Sequence, residues 1–257
     1  MKIKKSFRIL TFFLLILSFS KLHSQELGLY EKLNDFLPPN ISLIDENGNT
    51  VLLQNIIDKP TVISFVYYEC PGLCSPLLEG VAQVISRTSL DLGTEYQVLT
   101  ISFDPSEGTE LAVGKKASYS KLVDNKDVKN GWKYFTADQE NIDKLLNSFG
   151  YKIKKEGEEF IHPAAIMVVS PEGKITRYLH GTYFLPFDLK MAVVEAQEGK
   201  SGPTINKVLQ FCFSYDAEGK KYVFNVTKIS GSIILLLALI LFGTLVIRNK
   251  KNKTQKA

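Results

Sequence analysis

Two cysteines separated by three residues, Cys70 and Cys74, are the part of this sequence best suited to chemistry. The residues between them are Pro-Gly-Leu, so the two thiols lie about one helical turn apart along the chain. The thiolate form of cysteine attacks disulfides and binds soft metals. The pair therefore predicts a redox couple or a soft-metal site, with an ordinary structural disulfide as the alternative.

The cysteines lie between a predicted strand and a predicted helix. Residues 61–67 are β-branched and aromatic, which is typical of a buried strand. Residues 75–90 carry apolar side chains at helical spacing, and Pro76 falls early, where the first turn of a helix tolerates proline. The unpaired N–H groups of a helix N-terminus stabilise a thiolate. The pattern therefore predicts that at least one sulfur lies at such an N-terminus.

The sequence from about residue 96 to residue 198 alternates between strand and helix patterns. Further strands are predicted at 96–103, 132–135, 164–170 and 174–179, and further helices at 109–124, from Asp138 to near Gly150, and at 187–198. The last two strands flank a tight turn and form an antiparallel hairpin. This order predicts an α/β thioredoxin-like sandwich with a crossover insertion over roughly 106–150.

Both ends of the chain carry membrane-related signals. Residues 1–8 are basic and the apolar run that follows is too short to span a bilayer, which predicts a signal peptide cleaved after Ser24. Residues 229–247 contain no charge and would cover about 28 Å as a helix, which predicts a membrane span. The basic residues that follow predict a cytoplasmic tail.

Charge and cysteine content fit an exported domain. Residues 1–24 and 248–257 each hold five Lys or Arg and no acid, so the remainder has 21 bases against 27 acids. Nucleic-acid binding is therefore not expected. Three cysteines permit only one internal disulfide. The predicted segments are a signal peptide (1–24), a linker with an N-terminal hairpin (25–60), the thioredoxin-like domain (61–200), a membrane-proximal extension (201–228), a transmembrane helix (229–247) and a basic tail (248–257).

The sequence resembles the Sco/SenC family of membrane-anchored copper proteins over roughly residues 38–198. The resemblance rests on the segment from Phe65 to Cys74, on Ile-Ser-Phe-Asp-Pro at 101–105, and on His162 ahead of Met-Val-Val-Ser-Pro-Glu-Gly-Lys at 167–174. The family motif is Cys-x-x-x-Cys with a distant histidine just before the closing hairpin. The resemblance implies a thioredoxin-like domain that binds copper.

By this resemblance, Cys70, Cys74 and His162 are the metal ligands. Two thiolates and one imidazole suit Cu(I), which accepts low coordination and prefers sulfur. A structural zinc site would need a fourth protein ligand. Asp104, at the end of a predicted strand, is a candidate to orient or charge-balance a ligand. A plain turn residue is the alternative for Asp104, and an uninvolved surface histidine is the alternative for His162.

The resemblance implies a copper chaperone for the binuclear copper centre of cytochrome c oxidase. Its expected partners are the copper-containing oxidase subunit, a copper donor or thiol reductant, and the membrane. The competing hypothesis is a thiol-disulfide oxidoreductase that uses Cys70 and Cys74, although such enzymes usually have Cys-x-x-Cys. A peroxiredoxin-like peroxidase is third, because the expected upstream threonine is missing. The metal site is expected to leave out His23, His180 and Cys212, the last of which lies among aromatic residues.

Overall fold

The computed structural model describes residues 27–124, 126–202, 213–216 and 221–224, together with Ile234 and Leu237. The chain divides into two compact units, Met1–Ser201 and Gly202–Ala257. Within the described parts, no helix has the length and apolarity needed to cross a bilayer. The predicted signal peptide and all but two residues of the predicted span at 229–247 lie outside the described residues.

The first unit contains most of the regular structure. Its elements are, in chain order, β1 (Gly28–Leu29), β2 (Ser42–Asp45), β3 (Thr50–Leu52), α1 (Leu53–Ile56), β4 (Thr61–Val66), α2 (Cys74–Arg87), β5 (Gln97–Ser102), α3 (Thr109–Ser120), α4 (Val128–Gly131), β6 (Trp132–Thr136), α5 (Gln139–Ser148), β7 (Tyr151–Lys152), β8 (Lys154–Glu156), β9 (Glu159–Ile161), β10 (Ala165–Val169), β11 (Ile175–His180) and α6 (Pro186–Gln197). The second unit contains an antiparallel pair, β12 (Phe213–Asp216) and β13 (Lys221–Phe224).

A seven-stranded mixed sheet forms the centre of the first unit, in the order β11-β10-β4-β5-β6-β2-β3. The three strands β4, β5 and β6 are parallel and are joined through helical crossovers. The pairs β10–β11 and β2–β3 flank them in antiparallel orientation. Helix α2 contacts both α3 and α6, and α6 packs on β10 and β11. The predicted thioredoxin-like α/β fold is confirmed.

The two central strands are apolar enough to be covered on both faces. Every residue of β4 and β5 is buried. Their polar side chains pair with each other, since the hydroxyls of Ser64 and Thr100 lie 2.8 Å apart. The indole N–H of Trp132 on β6 donates to the Thr100 hydroxyl at 2.9 Å. These bonds satisfy buried polar groups that would otherwise destabilise the sheet.

The observed helices are close to the predicted ones and somewhat shorter. Helix α2 ends at Arg87 because Thr88 adopts an extended backbone with ψ of 148°. Helix α3 ends at Ser120, four residues before the predicted end at 124. Helix α5 begins after Asp138, whose carboxylate accepts the N–H of Asn141 at 2.8 Å.

The N-terminal segment of the described chain is bonded to the domain along its length. The N–H of Tyr30 donates to the Gly150 carbonyl and the N–H of Leu37 donates to the Gly173 carbonyl, both at 2.9 Å. Strand β1 pairs with β7. In the region predicted as a linker with a hairpin, the segment before the β2–β3 hairpin is therefore hydrogen-bonded to the domain.

Candidate metal centre

The loop between β4 and α2 places the first sulfur against the start of the helix. Leu73, the N-cap residue of α2, makes no capping hydrogen bond with its own side chain. The Cys70 sulfur takes that role instead, because it accepts the N–H groups of Gly72 and Cys74 at 3.4 Å each. A helix N-terminus without such an acceptor would leave these N–H groups unpaired. The predicted position of a sulfur at a helix start is confirmed.

Cys70, Cys74 and His162 form one buried cluster. Their ligand atoms all lie within 4.8 Å of one another, and the Cys74 sulfur is 3.3 Å from Nε2 of His162. Both cysteines are free thiols. Within the described parts of the chain, no other histidine, cysteine or carboxylate joins this cluster. The fold therefore brings His162 next to Cys70, although the two lie 92 positions apart in the sequence.

The second ring nitrogen of His162 is held by two acceptors. Its Nδ1 lies 2.9 Å from the Pro163 carbonyl and 3.2 Å from the hydroxyl of Tyr151. The Tyr151 hydroxyl donates its only hydrogen to the Pro163 carbonyl, so its oxygen acts as an acceptor toward the ring. Nδ1 must therefore carry the proton, and Nε2 presents a lone pair to the cysteines.

Aromatic rings surround the imidazole of His162. The ring centres of Phe103 and Tyr67 are 5.2 Å and 6.1 Å from that of His162. Phe160 lies 5.3 Å from Tyr67 and 5.5 Å from Phe103, measured between ring centres. Such a wall excludes water from one side of the cluster and lowers the local dielectric constant.

The two thiols differ in their ease of ionisation. Burial opposes ionisation of Cys70, but hydrogen bonds from Cys74, Gly72 and Tyr67 outweigh it and lower the pKa of the Cys70 thiol. Burial raises the pKa of the Cys74 thiol well above its usual value, and the neighbouring Cys70 and Glu107 add to the effect. Burial also lowers the pKa of His162, which keeps the imidazole neutral and available as a ligand.

A cleft of about 200 Å³ opens onto the cluster, and Cys70, Leu73, Phe160 and His162 are among its lining residues. Leu73 and Ile161 on its rim are more than a third exposed. A larger cavity of about 310 Å³ lies between 37–39 and 171–173 and contains neither cysteine nor histidine. The smaller cleft is therefore the one that gives access to reactive groups.

A family model described as SCO1/SenC matches residues 33–190 of this chain. The chain belongs to the SCO1/SenC family. It is 24% identical over 148 residues to the SCO1 protein homolog of Bacillus subtilis, a match that covers 56% of this chain and 74% of that protein. The resemblance recognised in the sequence is thereby confirmed.

Solved structures share the fold of this chain. A putative electron transfer protein from Aquifex aeolicus VF5 superposes with a TM-score of 0.59 at 29% identity, covering 66% of this chain and 96% of that one. Arabidopsis thaliana ScoI with copper bound superposes with a TM-score of 0.53 at 20% identity, covering 64% and 99%. The likeness to the Arabidopsis protein concerns the fold.

Among the described residues, Asp104 and His180 are not part of the Cys70–Cys74–His162 cluster. The Asp104 carboxylate accepts from the N–H and hydroxyl of Ser106, at 2.9 Å and 2.6 Å, and so stabilises the turn after β5. Its predicted role beside a ligand stays a prediction. His180 pairs with Glu31 at 2.8 Å on the surface. His23 and Cys212 lie outside the described residues.

Sequence reasoning missed two residues that support the centre. Tyr151, on β7, orients His162 from a strand of only two residues. Glu107 is buried below the cysteine loop and accepts backbone N–H groups from it. The only sequence signal for Glu107 was its place three residues after Asp104, in the turn that follows β5.

Proposed function

We propose that this protein is an exported, membrane-anchored copper chaperone. It binds one copper ion through Cys70, Cys74 and His162 and delivers it to the binuclear copper centre of cytochrome c oxidase during assembly. The observation that carries the proposal is the buried cluster of two sulfurs and one imidazole nitrogen. Family membership and the copper in the Arabidopsis relative support the choice of metal.

The donor set fits copper in its chemistry and its spacing. Metal–ligand bonds of about 2.0–2.3 Å in a three-coordinate centre require donors about 3.5–4 Å apart. The cluster has donors at 3.3 Å and none beyond 4.8 Å, so small side-chain adjustments are enough. Zinc would require a fourth ligand, and the described residues supply none from histidine, cysteine or carboxylate at this position.

The residues of the chain prepare the site for a cation. Tyr151 and the Pro163 carbonyl hold the His162 proton on Nδ1, so no tautomer change is needed for Nε2 to bind. Cys70 ionises readily, whereas Cys74 must release its proton when copper binds. The bound copper ion is the cargo, and a partner protein with its own thiolates can take it over by ligand exchange.

The paired cysteines also suit a second candidate function, that of a thiol-disulfide oxidoreductase. A thiol with a lowered pKa beside one with a raised pKa is the arrangement of an attacking and a resolving cysteine. The target would be the cysteines of the oxidase subunit or of another exported protein. Cys70 and Cys74 serve both functions, and only copper binding needs His162.

The two functions are separated by His162→Ala in the full-length protein, reduced and purified in detergent. The chaperone proposal expects copper affinity to fall at least tenfold, because one of three donors is lost, while the Cys70–Cys74 disulfide still forms. His180→Ala is the matched control and should bind copper as the wild type does. If His162→Ala keeps both its copper affinity and its thiol-exchange activity, binding through His162 is overturned and the oxidoreductase function replaces the chaperone.

A further inference from the structure

Glu107 is a buried carboxylate directly beneath the cysteine loop. Only 6% of the surface of Glu107 is exposed to solvent. One carboxylate oxygen accepts the N–H of Tyr68 at 2.7 Å and the hydroxyl of Ser102 at 2.5 Å, and the other accepts the N–H of Glu69 at 2.7 Å. The group therefore joins the end of β5 to the two residues that precede Cys70.

These bonds fix the backbone that carries the first sulfur. Tyr68 and Glu69 follow β4 and lie outside its ladder, so their N–H groups need another acceptor. Glu107 supplies both acceptor atoms from one rigid carboxylate. The position of Cys70 relative to β5 is consequently set by the reach of the Glu107 side chain.

The charge of Glu107 is not neutralised by a cation. Its three hydrogen-bond donors are two amides and one hydroxyl, and the described residues include no Lys, Arg or His in an ion pair with it. A buried charge that lacks an opposite charge acts strongly on its surroundings, because little solvent screens it. Burial raises the pKa of the Glu107 carboxyl, whereas its hydrogen bonds with Ser102, Tyr68 and Glu69 oppose that rise and favour the carboxylate. The carboxylate accepts the N–H of Glu69, which directly precedes Cys70, so its charge lies next to the loop that carries the first ligand.

We infer that Glu107 positions the Cys70 loop and that its negative charge favours Cu(II) over Cu(I) at the Cys70–Cys74–His162 centre. This inference rests on the proposed copper binding and deepens it. Two thiolates and a neutral imidazole leave Cu(I) in a centre of net charge −1 and Cu(II) in a neutral one. A further buried negative charge stabilises the ion of higher charge more, so it raises the Cu(II) affinity relative to the Cu(I) affinity.

The test compares two variants that separate charge from reach. Glu107→Gln keeps the length of the side chain but loses the charge. With its amide oxygen in the place of the carboxylate oxygen that accepts two hydrogen bonds, it keeps the Tyr68 and Ser102 bonds and loses only the one from Glu69. Glu107→Asp keeps the charge but is one methylene too short to reach all three donors. Glu110→Gln removes the same charge from an exposed position three residues away and is the matched control.

The dissociation constants for Cu(I) and Cu(II) are measured by ligand competition for the full-length protein and each variant. We expect Glu107→Gln to lower the ratio of Cu(II) to Cu(I) affinity by about tenfold. Glu107→Asp should weaken both affinities and leave the ratio within about twofold of the wild type, and Glu110→Gln should change neither. A wild-type ratio in Glu107→Gln, or an equal fall in Glu110→Gln, would overturn the inference.

A second variant keeps the test decisive if Glu107→Gln does not fold. Ser102→Ala leaves the charge in place and removes a donor that partly screens it, so the affinity ratio should stay at or above the wild-type value. A lower ratio in Ser102→Ala would contradict the role of the charge. If the wild type binds neither ion, the proposed function fails together with this inference. If the wild type binds copper and Glu107→Gln has the same affinity ratio, only the inference is overturned.

Discussion

At the residue scale, the orientation of the His162 ring depends on the hydroxyl of Tyr151. Tyr151→Phe removes an acceptor of the Nδ1 proton and a donor to the Pro163 carbonyl. We expect copper affinity to fall about tenfold, as for other groups that orient a ligand, and stability to fall by about 1–3 kcal/mol. Competition titration and thermal unfolding measure the two effects.

Tyr178→Phe is the matched control for Tyr151→Phe. The Tyr178 hydroxyl is also buried, and it donates to the Phe149 carbonyl and accepts the N–H of Lys32, both at 3.0 Å. Its loss should reduce stability by a similar amount and leave copper affinity unchanged. Equal loss of copper affinity in both variants would mean that Tyr151 acts only through the stability of the fold.

The pKa values of the two thiols predict which cysteine reacts first. The lowered pKa of Cys70 keeps part of it as thiolate at pH values where Cys74, with a raised pKa, is fully protonated. Iodoacetamide at pH 7 should therefore label Cys70 several-fold faster than Cys74. The Cys70 rate should also fall less steeply than that of an ordinary thiol as pH drops from 8 to 6. Mass spectrometry of the labelled peptides locates the modification, and faster labelling of Cys74 would contradict the assignment.

At the element scale, helix α2 packs closely on the backbone of a loop. A Cβ at Gly80 would lie 1.9 Å from the Thr182 carbonyl oxygen, and neither backbone can move away freely. Gly80→Ala should therefore destabilise the fold by about 1–3 kcal/mol or more in chemical denaturation. Gly114→Ala is the control, because a Cβ in that helix meets open space, and it should stabilise by up to about 1 kcal/mol. Equal stability of the two variants would contradict the packing described for α2.

The sequence specifies the junction between β4 and α2 well because its signals are strong and local. The apolar run of β4 and the helical spacing after Cys74 leave little freedom in where the sulfurs lie. The β8–β9 hairpin gave no such signal, since five of its six strand residues are exposed and most are charged. Periodicity identifies elements that bury an apolar face, and this hairpin buries little.

The sequence alone could not show whether Asp104 or Glu107 bonds to the cysteine loop. Asp104 and Glu107 both follow β5, and a turn in which the Glu107 N–H donates to the Asp104 carbonyl at 3.2 Å brings the later residue back over the strand end. Only the three-dimensional turn decides which carboxylate points to the cysteine loop. Tyr151 was missed for a similar reason, because its partner His162 belongs to a different segment.

At the scale of the whole molecule, the proposed topology places the copper domain outside the cytoplasm. In this proposal the signal peptide is removed near Ser24, and residues 229–247 anchor the chain with the basic tail inside. Protease added to spheroplasts should digest the 25–228 region and spare a tag placed after Ala257. Digestion of the tag from outside, or release of the chain by a carbonate wash, would contradict a C-terminal anchor and the delivery geometry that follows from it.

The most direct test of the central claim is copper stoichiometry in the reduced full-length protein. The wild type and Cys212→Ser should each bind one copper per chain in the presence of a competing thiol. Cys70→Ser and Cys74→Ser should bind none, because a hydroxyl cannot replace a thiolate as a soft donor. One tightly bound copper per chain in the Cys70→Ser/Cys74→Ser double variant would contradict the assignment of the site.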